Sequence, residues 1–158
     1  MKRSVQMVVA AGGLFALIGA SSMLEAQTVA PSAGEYLTKA KAVFERACGT
    51  CHSLDRPLSK TFDKAVWEKT VDRMQNNGAV VSKEEQTQVV AYLLTKNTFE
   101  AKCSVCHATD KPLGKNKSAT DWQATVRRMS GKRPGLITEA EVADIAAYLS
   151  LVRPEQNK

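Results

Sequence analysis

Histidine is almost missing from this 158-residue chain: it occurs twice, as His52 and His107. Methionine is nearly as scarce, and past residue 26 only Met74 and Met129 remain. Any metal bound through imidazole or thioether must therefore use these four side chains. No segment alternates apolar and polar residues for long, which excludes a half-buried sheet and leaves helices as the expected elements. Basic residues exceed acidic ones by six, but they are scattered and form no stretch interleaved with aromatics. Nucleic acid is therefore not expected as a partner. The one extended apolar run, residues 8–18, is too short to span a bilayer.

The amino-terminal residues read as an address. Lys2 and Arg3 precede the apolar run, Ser21 and Ser22 follow it, and Glu25-Ala26 offers a cleavage point. Residues 1–26 are thus expected to be a secretory signal peptide, the alternative being an anchor that stays uncleaved. No cysteine lies between the run and Cys48, which argues against a lipoprotein. Export would place the mature chain in the periplasm, without membrane association. Cleavage would leave about 132 residues, room for one domain or two very small ones. In an oxidising compartment a disulfide framework is the default reading of four cysteines, but here their spacing argues otherwise.

Cys48-Gly49-Thr50-Cys51-His52 recurs as Cys103-Ser104-Val105-Cys106-His107, an offset of 55 residues. The offset persists through Phe44/Phe99, Asp55/Asp110, Pro57/Pro112, Lys60/Lys115, Trp67/Trp122 and Met74/Met129. One inserted residue after Met129 then aligns Ser82-x-x-Glu85 with Thr138-x-x-Glu141 and Tyr92-Leu93 with Tyr148-Leu149. Two copies of one unit, residues 34–94 and 95–153, are the simplest account. Helical spacing predicts a helix over about residues 34–47 with Leu37, Ala40 and Phe44 inward, running directly into Cys48. A second, over about 64–75, sets Val66, Trp67, Val71 and Met74 on one broad face. The Ser82 and Thr138 motifs read as capping boxes that open the last helix of each unit. The first of these helices is expected to end near Leu94. No Gly-, Pro- or Ser-rich linker separates it from Cys103, so the units should share one rigid element. Each has few large apolar residues, and chains this short usually need a staple.

C-x-x-C followed by His is the attachment signature of c-type haem. Two thiols on one turn can bond the two vinyl groups while the adjacent imidazole reaches the iron. Cys48, Cys51, Cys103 and Cys106 are assigned to thioether bonds, and His52 and His107 to the iron of two haem c groups. A redox dithiol or a zinc site are the competing readings. Both copies end in His, however, and four Cys with two His exceed the four ligands of a structural zinc site. Up to four haem propionates would offset most of the positive charge.

With only two histidines, bis-histidine ligation within one molecule is excluded. Met74 and Met129 each lie 22 residues past their own motif histidine, which makes them the candidate axial ligands. The competing role is core filler on an amphipathic helix, leaving the iron five-coordinate or bound to Lys, Tyr or water. Trp67 and Trp122 are expected in the core, each seeking an acceptor for its indole N–H, a propionate being one. Arg73 and Arg128 could pair with propionates or face solvent. Pro57 and Pro112 either form turns or sit in a loop whose carbonyl orients the imidazole.

The helix entering C-x-x-C-H, the Pro-Leu step, the Met and the helix ending in Tyr-Leu resemble the class I cytochrome c family over about residues 34–152. The Trp-x-x-Thr-Val-x-Arg-Met run is similar to compact dihaem domains such as the haem-binding domain of the quinohaemoprotein amine dehydrogenase α subunit. The resemblance implies an all-α fold of two tandem cytochrome c-like helical haem-binding units. The loop that carries the Met in many members is cut short here. The expected function is electron transfer, with no catalysis of its own, between a redox protein donor and acceptor, either as a shuttle or as the cytochrome subunit of a periplasmic dehydrogenase. The rival is a small haem enzyme or gas sensor with one open iron site, against which stands the lack of a spare His for acid/base work.

Overall fold

The computed structural model describes residues 32–156, and the signal-peptide expectation for residues 1–26 lies outside them. The chain is all-α. Its helices are α1 (Ala33–Cys48), α2 (Asp55–Leu58), α3 (Lys64–Asn76), α4 (Lys83–Cys103), α5 (Asp110–Leu113), α6 (Ala119–Lys132) and α7 (Glu139–Val152). Among the described residues there is no strand, only an isolated bridge between Lys117 and Pro154. No helix among them is long and apolar enough to cross a membrane.

Each long helix starts on a side-chain oxygen that accepts an otherwise orphaned N–H: Ser32, Asp63, Ser82, Ser118 and Thr138. Ser82/Glu85 and Thr138/Glu141 form the expected capping boxes, and Ser32/Glu35 forms a third that the sequence reading did not single out. In α1 the stripe Leu37, Ala40, Phe44 and Ala47 is buried. In α3 the inward face is narrower than expected. Trp67 and Val71 are buried, whereas Val66 is 40% exposed. Position 66 is one step, about 100°, off the 67/71/74 line, which carries it to the edge of the face.

The helix expected to end near Leu94 continues to Cys103, so the 94/95 boundary falls inside α4. No glycine or proline interrupts residues 83–103, and nothing there favours a stop. This 21-residue helix closes the first unit and opens the second. It packs against α1, α3 and α7, while α1 also meets α7, and α6 lies on α7. Because α4 is enclosed on several sides, it buries Val89, Val90, Leu93 and Phe99 together with the polar Gln86, Lys96 and Asn97. Buried polar groups cost stability unless they find partners. The Gln86 amide donates to the Glu68 carbonyl and to Asp72, and Lys96 pairs with Glu100 at 2.7 Å. Asn97 donates to the Phe62 carbonyl at 2.9 Å.

Where α1, α4 and α7 meet, four aromatic rings form a ladder. Phe44 and Tyr92 lie 5.2 Å apart, Tyr92 and Tyr148 6.1 Å, and Tyr148 and Phe99 5.4 Å. The outer pairs are the same pair in the two copies, and the Tyr92–Tyr148 step crosses between them. Burial, aided by the Glu45 carboxylate, pushes the Tyr92 phenol up to about 12. Tyr148 is raised by burial, then by Tyr92 and Glu100. Both therefore ionise more readily in the unfolded chain. The stability they contribute is complete below an ordinary tyrosine's pKa of about 10 and is lost as the pH rises toward 12. The melting temperature should fall across that window, and Tyr92→Phe should flatten the fall. An unchanged slope in that variant would assign the alkaline loss to other groups.

Candidate haem centres

Helix α1 delivers Cys48 as its last residue, and α4 delivers Cys103 in the same way. The chain then turns tightly through Cys51 and Cys106, both exposed, to half-buried His52 and His107. The His52 Nδ1 lies 3.0 Å from the Ser53 carbonyl, and the His107 Nδ1 lies 3.0 Å from the Ala108 carbonyl. A carbonyl only accepts, so each Nδ1 carries the proton and each Nε2 keeps a free lone pair for a metal. The Pro-bearing segments do not supply this acceptor. Pro57 and Pro112 sit in the one-turn helices α2 and α5, and their carbonyls accept from Lys60 and Lys115 at 3.0 Å. The orienting carbonyl is instead the nearest one in the chain.

The first cavity, about 470 Å³, is lined by Cys48, Cys51, His52, Trp67, Val71 and Met74. A smaller recess beside it, about 80 Å³, shares the two cysteines, His52 and Met74 and reaches the Ala79–Val81 turn. The second cavity, about 440 Å³, is lined by Cys103, Cys106, His107, Trp122, Val126 and Met129. Each Cys, Cys, His, Met set singled out from the sequence thus borders a single cavity. No disulfide joins the four cysteines.

The thiol environment argues against a redox dithiol. Reactive C-x-x-C thiols have depressed pKa values, commonly at helix N-termini. Here the first cysteine of each motif closes a helix at its carboxyl end, where the dipole disfavours a thiolate. Burial raises the Cys48 pKa, and burial plus the neighbouring Cys106 push Cys103 up to about 11. Zinc is no better served, because among the described residues no three His, Cys, Asp or Glu side chains converge closely enough to hold one metal ion together.

The two tryptophans differ. The Trp122 indole donates to the Arg153 carbonyl at 3.0 Å, so its hydrogen bond is spent within the protein. Trp67 is equally buried, but its N–H has no partner. Of the two arginines beside the methionines, Arg73 borders the first cavity. Arg128 instead borders a separate surface depression with Lys117 and Asp121.

Apart from Arg73, the sequence reading missed the basic rims. Lys102, Lys111, Lys115, Lys117, Lys132 and Arg133 surround the second cavity, and Arg56, Lys60 and Arg73 border the first. In sequence these residues are dispersed, and only the fold gathers them. A signal did exist in the repeat: positions 56/111 and 60/115 are basic in both copies. Phe62 was also missed. Its ring lies 4.9 Å from that of Trp67 and helps to build the wall of the first cavity.

A flat apolar cofactor fits these residues. Each cavity falls within the ~300–1,000 Å³ of cofactor sites and has apolar walls, cationic groups at its rim for carboxylates, paired thiols and an imidazole with a free nitrogen. The helical fold and this donor set are what covalent attachment of a c-type haem requires. Residues 95–149 match the family model described as cytochrome c oxidase, cbb3-type, subunit III. The match supports a c-type cytochrome, and with it electron transport through haem c and its iron. A search of the curated proteins and a search of the solved structures each returned no match.

Proposed function

We propose that this chain is a dihaem electron carrier of the periplasm, exported by the signal peptide expected at residues 1–26. One haem c would be tethered by Cys48 and Cys51 with His52 and Met74 as iron ligands, the other by Cys103 and Cys106 with His107 and Met129. The observation that carries this reading is the duplicated convergence of two thiols, an imidazole and a thioether on one apolar cavity. When bound, haem supplies a one-electron ferric/ferrous couple.

The chain's own residues do the rest. The cysteines tether, so that the cofactor is not lost between encounters. The Ser53 and Ala108 carbonyls hold the imidazole tautomers that leave Nε2 free. Val71, Trp67, Val126 and Trp122 exclude water, which favours the less charged reduced site. The basic rims fit the acidic faces of redox protein donors and acceptors, a periplasmic dehydrogenase among them.

The mature protein should carry two covalent haems by mass and show a c-type α-band when reduced. A mass equal to bare polypeptide overturns the proposal. Thioether ligation gives ferric haem a weak near-infrared band. Met74→Ala and Met129→Ala should each remove about half of it, and the double variant all of it. Retention of the band in either single variant would remove that methionine from the ligand set. If the iron is closed on both faces, the reduced protein should also bind carbon monoxide slowly, and rapid binding would favour a haem enzyme or gas sensor.

A further inference from the structure

Among the described residues, three buried side-chain polar atoms lack a partner, and two of them are the Trp67 indole N–H and the Asn97 Oδ1. Such orphans are rare in folded proteins and call for an account. The internal repeat supplies one. Trp67 corresponds to Trp122, Phe62 to Lys117 and Asn97 to Arg153, the last across the one-residue insertion. In the second unit the Arg153 carbonyl accepts from both the Trp122 indole and the Lys117 amide, at 3.0 and 3.4 Å. It is free to do so because Arg153 caps α7, where the helix has ended.

At the equivalent place in the first unit the helix does not end. Asn97 lies inside α4, six residues before Cys103, and its backbone carbonyl is engaged in the helical ladder. Fusing the two units through one helix has therefore removed the acceptor that the first tryptophan would otherwise use. What stands there instead is a side-chain amide. Its NH₂ donates to the Phe62 carbonyl at 2.9 Å, and the Phe62 ring packs on Trp67 at 4.9 Å. Its oxygen is an unpaired acceptor, linked to the unpaired Trp67 donor through Phe62, which both side chains contact.

We infer that the Asn97 side-chain oxygen accepts the Trp67 indole N–H in the haem-loaded protein, replacing the backbone carbonyl that helix continuity consumed. One amide then accepts from the tryptophan, as the Arg153 carbonyl does in the other unit, while its NH₂ donates to the Phe62 carbonyl. Asn97 is thereby a positioning residue. From the helix that ends at Cys103 of the second site, it fixes the Trp67 wall of the first. This inference rests on the haem reading only in taking the haem-loaded protein as the working state.

The test uses the chain's having only two tryptophans. In haem-loaded Trp122→Phe, the ultraviolet resonance Raman band that reports indole hydrogen bonding should show Trp67 bonded. Adding Asn97→Leu should convert it to free indole and shift the midpoint potential of one of the two haems. Overturning results are a free Trp67 indole with Asn97 intact, or an indole that stays bonded in Asn97→Leu, which would make a haem carboxylate or a water the acceptor. If Trp122→Phe does not fold, the protein with both tryptophans serves, where any free-indole component sinks the idea. If Asn97→Leu does not fold, Asn97→Ala carries the same comparison. A protein that lacks haem by mass would fail the proposed function, whereas a haem-loaded one with a free Trp67 would fail this inference alone.

Discussion

Ending the chain after Leu94 should abolish folding of the first unit, not release it as a free-standing domain. The cut falls in the middle of α4 and removes Lys96, Asn97 and Phe99, all buried. Asn97 and Lys96 reach back to the Phe62 and Lys60 carbonyls, at 2.9 and 3.5 Å, so the segment leading to Trp67 loses its tie to the core. The cut also removes α7, against which α1 packs. A helix shortened to about 12 residues is marginal by itself in water. Phe99→Ala alone should cost about 3–5 kcal/mol, since the ring is 1% exposed and lies against Tyr148. That is a large share of the ~5–15 kcal/mol that stabilises an ordinary domain. Circular dichroism melting of the full chain, Phe99→Ala and the 32–94 fragment checks this, and a cooperative transition in the fragment near that of the full chain would refute it.

Under the proposed dihaem function, replacing both Cys103 and Cys106 by serine should remove one of the two covalent haems. The mature mass should drop by one haem, and haem staining after denaturation should fall to about half. Either cysteine alone leaves one tether, so the single variants should keep the second haem bound while becoming less stable. The paired Cys48/Cys51 variant should mirror the result at the first site. Because α4 is common to both sites, loss of the second haem should also lower the melting temperature of what remains. A Cys103/Cys106 double variant that still retains two haems through denaturation would refute the attachment assignment.

Much of this was legible before any coordinates. The offset of 55 residues announced two copies, and the capping boxes at Ser82 and Thr138 placed helix starts where they occur. These are local signals: an N-cap needs only a side-chain oxygen and an N–H three residues on. The C-x-x-C-H motif is local too, because one tight turn brings its thiols and imidazole to the same cavity edge. Val66 went astray because a helical pattern gives the direction of the buried stripe but not its width, which the neighbouring helix sets.

The stop expected at Leu94 failed for a related reason. Tandem copies suggest a seam, yet no residue between 94 and 103 breaks a helix, and packing against α1 and α7 favours carrying it through. The amino-acid sequence alone therefore determined the run of α1 into Cys48, the caps that start α4 and α7, the duplicated motif and the cofactor class that motif implies, because all of these depend on residues a few positions apart. Only the tertiary structure decided that the shared element is one unbroken helix, that dispersed lysines ring one cavity, and that Trp122 finds a carbonyl while Trp67 does not. Each of these depends on groups distant in the chain meeting across a core, where burial makes every unpaired polar atom costly and so determines which partners matter.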